Sequence, residues 1–248
     1  MTKKSWYRTW FDSPYYHVLY QNRDKREAAN FIDAILRELD PNPNANFLDL
    51  ACGNGRHSIF VNQKGYKVTG VDLSRNNIQE AKKHENPTLH FDVHDMRQPY
   101  SKKSFDFVLN LFTSFGYFET KEENLSVLKS ANSNLKEGGI LVIDFLNVTQ
   151  VAQKLKSKER LEINGVVFEI SRSVQSDLIE KHITVHDGNE KYQFVEKVAA
   201  FSKAAFERYL SLSGFEIVNT FGNYKLDPFY STESERLILI AKKINELH

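Results

Sequence analysis

The sequence has few of the features that mark secreted, membrane-bound or nucleic-acid-binding proteins. Its 248 residues include a single cysteine, Cys52, so no disulfide can form within the chain, which predicts a reducing compartment. No apolar run approaches the ~20 residues that a membrane span needs, and the first residues lack the apolar core of a signal peptide. The net charge is +1, from 33 basic and 32 acidic residues, so no broad basic surface is expected. We therefore expect a cytoplasmic protein whose partners include neither a membrane nor a nucleic acid.

Up to about residue 145 the chain alternates apolar strand patterns with amphipathic helix patterns. The predicted strands are residues 47–51, 67–72, 88–93, 105–111 and 140–145, with a turn at Gly138-Gly139 before the last. Asp24 is predicted to cap the helix that precedes the first strand. Segment 88–93 alternates apolar and polar residues, as at a sheet edge, whereas 105–111 is apolar almost throughout and predicts a central strand. This alternation predicts a parallel sheet with helices on both faces.

The pattern changes after residue 158, where helical periodicity gives way to alternating segments. Asn164-Gly165 and Asp187-Gly188 are hairpin-turn signals. The segments between them predict an antiparallel meander with strands at 161–163, 166–174, 178–186 and 192–201. A helix capped by Ser202 and two strands, 215–221 and 236–242, are predicted to complete the chain.

Three regions follow from this organisation. The expected division is an aromatic N-terminal arm at 1–22, a main domain formed by 23–158 with 202–248, and an inserted antiparallel β subdomain at 159–201. The arm contains both tryptophans, Trp6 and Trp10, and Pro14 interrupts any long helix in it. Two interpretations of the arm remain open, as a segment packed on the core or as a lid over a bound ligand.

The strongest local signal is the run NFLDLACGNGRH at residues 46–57. Gly53 and Gly55 allow a sharp turn from the first strand into the next helix and let a ligand approach the backbone closely. A dinucleotide-binding fingerprint would have a third glycine where this chain has Ser58. That replacement weakens the alternative of an NAD-dependent oxidoreductase.

Acidic residues accompany the ends of the first three predicted strands. Asp72 ends the second strand and can accept hydrogen bonds from two ribose hydroxyls. Asp95 follows the third and can accept from an adenine amine, with Met96 packed on the ring. Asp49 suits a cationic amine better than a pyrophosphate. An adenosyl ligand with a cationic amino-acid arm fits these charges better than a phosphorylated one, although each acid alone is as readily a helix cap.

Four segments together resemble the class I S-adenosylmethionine-dependent methyltransferases. They are LDLACGNGRH (48–57), VTGVDLS (68–74), HDMR (94–97) and LKEGGILVID (135–144). The run NLFTSFGY (110–117) and the antiparallel insertion resemble the small-molecule N-methyltransferases, such as glycine N-methyltransferase and the amino-sugar N,N-dimethyltransferases. The resemblance implies a Rossmann-like, mostly parallel seven-stranded sheet with an antiparallel last strand. It also implies methyl transfer from S-adenosylmethionine to an N or O atom of a small-molecule acceptor.

The resemblance also implies roles for individual residues. It implies that S-adenosylmethionine contacts Asp49, Ala51, Gly53, Gly55, Asp72, Leu73, Asp95, Met96, Asn110 and Leu111. A general base is needed only if the acceptor must lose a proton, and the candidates are Tyr16, His17 and Asp144. No metal site is predicted, because His182 and His186 share the polar face of one strand, which is more often solvated than metal-binding.

Other functions remain open at this stage. A non-catalytic S-adenosylmethionine-binding or assembly protein would retain the same motifs. The sequence does not distinguish N-, O- and C-methylation. A homodimer is also left open, since the exposed strand edges of the meander can pair between subunits.

Overall fold

A computed structural model describes residues 5–21, 25–175 and 177–244 of the chain. Its α-helices are α1 (Trp6–Trp10), α2 (Pro14–Leu19), α3 (Lys25–Leu39), α4 (Arg56–Gln63), α5 (Arg75–Ala81), α6 (Lys121–Asn134), α7 (Val148–Lys154) and α8 (Lys203–Ser211). Its strands are β1 (Asn46–Leu50), β2 (Lys67–Asp72), β3 (Leu89–Val93), β4 (Phe105–Asn110), β5 (Leu135–Leu146), β6 (Lys158–Ile163), β7 (Val166–Gln175), β8 (Leu178–Asp187), β9 (Glu190–Ala199), β10 (Phe215–Phe221) and β11 (Arg236–Lys243). No helix in these ranges is long and apolar enough to cross a membrane. The predicted cap Asp24 lies outside the described residues.

The larger sheet orders its strands β10-β11-β5-β4-β1-β2-β3 within the described residues. The strands from β1 to β5 pair in parallel, whereas β11 runs antiparallel to both β5 and β10. The predicted Rossmann-like sheet with an antiparallel last strand is therefore confirmed. As their hydrophobicity indicates, β3 lies at the edge and β4 in the centre. Parallel pairing also brings the carboxyl ends of β1, β2, β3 and β4 to one edge of the sheet.

Helices cover both faces of this sheet, as a parallel sheet requires. One apolar layer includes residues of α3, α4 and α5, among them Phe31, Ile35 and Val61. The opposite layer includes residues of α6 and α8, among them Leu128 and Phe206. The sheet is thereby buried on both sides, and its ligand-accessible surface is confined to the strand ends and loops.

The smaller sheet is an antiparallel meander in the order β6-β7-β8-β9. Asn164 and Gly165 have φ values of 54° and 79°, as the predicted two-residue hairpin turn requires. Strand β6 begins at Lys158 instead of residue 161, because its charged first residues pair with β7 although they carry no apolar signal. The predicted meander is confirmed, with three longer strands and a last strand, β9, that lies two residues earlier than predicted.

Strand β5 is also longer than predicted. It begins at Leu135, before the predicted turn, and continues across Gly138, whose φ is 71°. The β4–β5 pairing shifts register between Phe105 and Phe107, so the glycine lies next to an irregularity within one strand instead of in a turn between elements. Helix α7, capped by Asn147, was not predicted.

The N-terminal arm packs on the smaller sheet. Pro14 is the first residue of α2 and separates it from α1, as predicted. Trp10 is completely buried in a cluster with Phe168 and Ile183 of the small sheet. Its indole Nε1 donates a hydrogen bond to Glu196 Oε1 at 2.6 Å, and Tyr20 donates to the same oxygen at 2.7 Å. The interpretation of the arm as a segment packed on the core is correct for this side of it.

Replacing Trp10 with alanine should lower the free energy of unfolding by about 3–5 kcal/mol, because a large buried ring is removed. Urea denaturation followed by intrinsic fluorescence measures this loss. Trp6→Ala is the matched control, since Trp6 is only half-buried, and should cost less. Equal urea midpoints for Trp10→Ala and wild type would contradict the docking of the arm on the small sheet.

Candidate active site

Two adjoining cavities open at the carboxyl edge of the large sheet. The first has a volume of about 330 Å³ and the second about 70 Å³. Both are lined by Phe11, Ala51, Asp72 and Tyr117. Since they share these walls, the two cavities lie side by side between the sheet, the loop after β4 and the arm.

The chain turns sharply between β1 and α4. Ala51, Gly53 and Gly55 have φ values of 59°, 58° and 82°, in the left-handed region. Ala51 carries a Cβ there and is a strained position at the site. A Cβ at Gly53 would meet no atom within 4 Å, whereas one at Gly55 would lie 2.6 Å from the Phe91 ring. Open space therefore lies over Gly53, which lines the first cavity, while Gly55 is required by packing and lines neither cavity.

Asp72 joins the end of β2 to this turn and lines both cavities. Its Oδ2 accepts a hydrogen bond from the Gly53 amide at 2.9 Å, and its Oδ1 accepts from the Ser74 amide at 2.8 Å. Burial raises the pKa of Asp72, and these amide hydrogen bonds oppose the shift. Each oxygen retains a further lone pair, so the carboxylate can accept hydrogen bonds from a diol. This geometry is compatible with the predicted ribose contact.

The second cavity is lined by Asp95 and Met96, which were predicted to contact adenine, and by Leu73, which was predicted to contact the cofactor. Arg97 holds the Asp95 carboxylate through bonds of 3.0 Å from Nε to Oδ1 and 2.6 Å from Nη2 to Oδ2. Burial acts to raise the pKa of Asp95, but the hydrogen bonds and charge of Arg97 outweigh it and leave that pKa below its ordinary value. Asp95 is therefore an ionised acceptor at neutral pH. The positioning by Arg97 was not predicted.

Asp49 lies buried beneath the turn and lines neither cavity. Its Oδ2 accepts a hydrogen bond from Ser58 Oγ at 2.6 Å. Ser58, which replaces the third glycine of a dinucleotide fingerprint, thus has a partner in the site. Burial, together with the nearby charge of Asp72, raises the pKa of Asp49 to about 7. The predicted contact between Asp49 and the amine of the ligand stays a prediction. Because Asp49 lines neither cavity, it can act on a ligand only by positioning the turn above it.

Asn110 and Leu111 follow from the end of β4. Leu111 lines the first cavity, whereas Asn110 is buried and lines neither. The Asn110 amide nitrogen donates to the Leu50 carbonyl at 3.1 Å. Its Oδ1 accepts no hydrogen bond from any residue that the structure describes. Because a buried acceptor without a donor is unfavourable, a ligand or water donor is expected at this place.

Two of the predicted bases, Tyr16 and His17, line the first cavity from α2. The arm therefore also forms a wall of this cavity, and its interpretation as a lid over a bound ligand stays a prediction. Asp144, the third candidate, has no exposed surface and lines neither cavity. Its Oδ1 accepts from Arg236 Nε at 2.8 Å and its Oδ2 from the Phe112 amide at 2.9 Å. The structure is at odds with Asp144 as a base, because a base must reach the acceptor.

Among the described residues, neither Cys52 nor the histidines of the small sheet are arranged for nucleophilic catalysis or metal binding. Burial raises the pKa of the Cys52 thiol well above its ordinary value, which keeps it protonated and unreactive. His182 lies 3.5 Å from Glu180, and His186 lies 3.3 Å from Glu169. In the described part of the chain, no group of three or more His, Cys, Asp or Glu side chains suits a metal ion.

Comparison with known proteins identifies the family. The profile described as a methyltransferase domain matches residues 20–220. The chain belongs to this family. The prediction of a class I S-adenosylmethionine-dependent methyltransferase is thereby confirmed, and the unfilled acceptor at Asn110, the open space over Gly53 and the free lone pairs of Asp72 fit that donor.

Individual relatives of the methyltransferase cover most of its length. A dTDP-3-amino-3,4,6-trideoxy-alpha-D-glucopyranose N,N-dimethyltransferase from Streptomyces venezuelae is 28% identical over 213 residues, covering 82% of this chain and 89% of its own. An S-adenosylmethionine-dependent methyltransferase from Clostridium acetobutylicum has a TM-score of 0.78 at 20% identity, covering 93% and 96% of the two chains. An amino pentose methyltransferase from Micromonospora echinaspora has a TM-score of 0.68 at 20% identity, covering 93% and 97%. At these identities the two solved structures show the fold.

Asp72→Ala should weaken binding of S-adenosylhomocysteine by about 100-fold, because two hydrogen bonds to a charged group contribute roughly 3 kcal/mol. Isothermal titration calorimetry measures the affinity. Asp92→Ala is the matched control, since Asp92 belongs to the adjacent strand, lines neither cavity and accepts a hydrogen bond from Tyr100. An affinity for Asp72→Ala within twofold of wild type would contradict the ribose assignment.

The raised pKa of Asp49 predicts a pH-dependent stability. Its folded value of about 7 lies above the ordinary value, so the native state binds the extra proton between the two values. The free energy of unfolding should fall as pH rises from about 4 to about 7, by up to roughly 4 kcal/mol from this group.

The neutral variant Asp49→Asn should lack this contribution. Its free energy of unfolding relative to that of wild type should therefore increase as pH rises from about 4 to about 7. Urea titrations at a series of pH values measure it. Ser58→Ala, which removes a hydrogen bond that stabilises the Asp49 carboxylate, should raise the pKa of Asp49 further and extend the dependence to higher pH. A stability difference between wild type and Asp49→Asn that stays constant with pH would contradict the assignment.

Proposed function

We propose that the methyltransferase transfers the methyl group of S-adenosylmethionine to the amine of a small-molecule acceptor, bound between the glycine turn and α2. The observation that carries this proposal is that the two cavities adjoin and share Phe11, Ala51, Asp72 and Tyr117 as walls. The smaller cavity is lined by Leu73 and Met96, and the larger one is walled by Tyr16 and Tyr20 of the arm. A donor and an acceptor can therefore lie next to each other at this edge of the sheet.

The donor would be held from one end of the site to the other by residues of the large sheet. Asp72 would accept the ribose hydroxyls, and Asp95 with Met96 would hold the adenine. The backbone at Ala51 and Gly53 would lie against the amino-acid arm. S-adenosylmethionine supplies a methyl group already activated by the positive charge on sulfur. The chain's own task is then to align donor with acceptor and to exclude water.

The acceptor end combines aromatic rings with basic side chains. Tyr16 and Tyr117 would stabilise the cationic charge of the transfer through their ring faces. His17, which lines the same cavity, would take a proton from the acceptor. Among the described lining residues of the first cavity, Arg56 is basic and Asp72 is the sole acid. An amine that also carries an anionic group fits this charge balance. The amino-sugar relative from Streptomyces supports nitrogen as the methylated atom.

Incubation with methyl-labelled S-adenosylmethionine tests the proposal. The purified protein is offered a panel of amino sugars, nucleotide-linked amino sugars and amino acids, and separately a fractionated cell extract. Label is expected in a small-molecule amine, and Asp72→Ala should transfer none. Label in protein or RNA would contradict the proposal, whereas binding of S-adenosylhomocysteine without transfer to any pool would favour the non-catalytic alternative.

We further propose that this activity is cytoplasmic and involves neither nucleic acid nor membrane. The single cysteine and the near-neutral charge support this. The boundaries at residues 22, 158 and 201 and the homodimer remain predictions. Size-exclusion chromatography with light scattering measures the oligomeric state.

A further inference from the structure

We propose that Asp144 and Arg236 are positioning residues that hold the β4 loop, defined as residues 111–118, against the active-site cavity. Leu111, Phe112, Ser114 and Tyr117 of this loop line the first cavity. Asp144 and Arg236 line neither cavity and act through the loop. The consequence for methyl transfer rests on the proposed function, whereas the contacts themselves do not.

The β4 loop contains two consecutive strained residues. Phe112 and Thr113 have φ values of 57° and 60°, although neither is glycine. Left-handed backbone is unfavourable for residues with a Cβ and most unfavourable for β-branched ones such as threonine. Such a conformation persists only where the surrounding structure holds it.

The hydrogen bonds of Asp144 and Arg236 converge on these two residues. The Phe112 amide donates to the Asp144 carboxylate at 2.9 Å, and the Thr113 amide donates to the Asp144 carbonyl at 2.9 Å. Arg236 donates from Nε to Asp144 Oδ1 and from Nη2 to Thr113 Oγ1, both at 2.8 Å. The side chains of Asp144 and Arg236 thus bind the Phe112 amide and the Thr113 hydroxyl, and the Asp144 backbone carbonyl binds the Thr113 amide.

Ring contacts also hold the Phe112 side chain in place. Its ring stacks on Tyr224 at 5.3 Å and contacts the imidazole of His57 at 4.8 Å. Tyr224 in turn donates to Asp144 Oδ2 at 3.3 Å, and the Arg236 guanidinium lies over its ring. This cavity wall is therefore held from behind by Asp144 of β5, Arg236 of β11 and Tyr224 of the segment before β11, in addition to its contact with His57 of α4.

Hydrogen exchange followed by mass spectrometry tests this inference in the intact protein. Arg236→Met should accelerate amide exchange in residues 111–118 by at least roughly 10-fold, as the loss of a hydrogen bond to a charged group implies. It should also weaken S-adenosylhomocysteine binding by a similar factor. Adding Thr113→Gly should restore the affinity to within about threefold, because glycine adopts left-handed backbone readily.

Lys243→Met is the matched control. Lys243 is a buried cation at the opposite end of β11, where it donates to the carbonyls of Asn132 and Leu135. This variant should leave exchange in residues 111–118 and the affinity unchanged. Exchange in Arg236→Met equal to wild type, or raised equally by both variants, would overturn the proposal, as would the absence of rescue by Thr113→Gly.

If Arg236→Met does not fold, a milder variant, Thr113→Val, tests whether Arg236 holds the β4 loop. Thr113→Val keeps the ion pair and the side-chain shape and removes only the acceptor of the Arg236 hydrogen bond. It should accelerate exchange in the β4 loop severalfold, and unchanged exchange would overturn the proposal. If wild type does not bind S-adenosylhomocysteine, the proposed function is contradicted, while exchange in the ligand-free proteins still tests the positioning.

Discussion

The hydrogen bond from the Gly53 amide to the Asp72 carboxylate joins the ends of two strands that the parallel sheet brings side by side. It holds a left-handed turn open over the cavity and fixes a carboxylate at its wall. Asp49 beneath the turn and Asp95 beyond the next strand are placed by the same sheet geometry. The proposed donor site therefore depends on parallel pairing of the strands more than on any single side chain.

The remaining walls come from parts of the chain far from this turn. The arm is fixed to the small sheet through Trp10 and Glu196 and presents Tyr16 and His17 to the cavity. The β4 loop is fixed from behind by Asp144 and Arg236. The proposed donor site is thus combined with walls that derive from separate elements, so we expect the identity of the acceptor to depend on residues outside the glycine turn.

The features whose positions the sequence predicted correctly are formed by residues close together in the chain. The glycine turn, Asp72 and Asp95 each lie at a strand end within one strand–helix unit, so their spacing predicts where they meet. Asp144 as a base is at odds with its burial against Phe112 and Arg236, which the β4–β5 and β5–β11 pairings bring together and which no local pattern indicates. The β5 irregularity at Gly138 was missed for a related reason, since a glycine pair indicates a turn unless strand pairing on both sides continues through it.

A crystal structure of the protein with S-adenosylhomocysteine would show directly whether the donor binds at the carboxyl ends of β1, β2 and β3. We expect density for the ribose against Asp72, for the adenine between Leu73 and Met96, and for the amino-acid arm over Gly53. Density at another surface, with the ends of β1, β2 and β3 bearing no ligand, would contradict it.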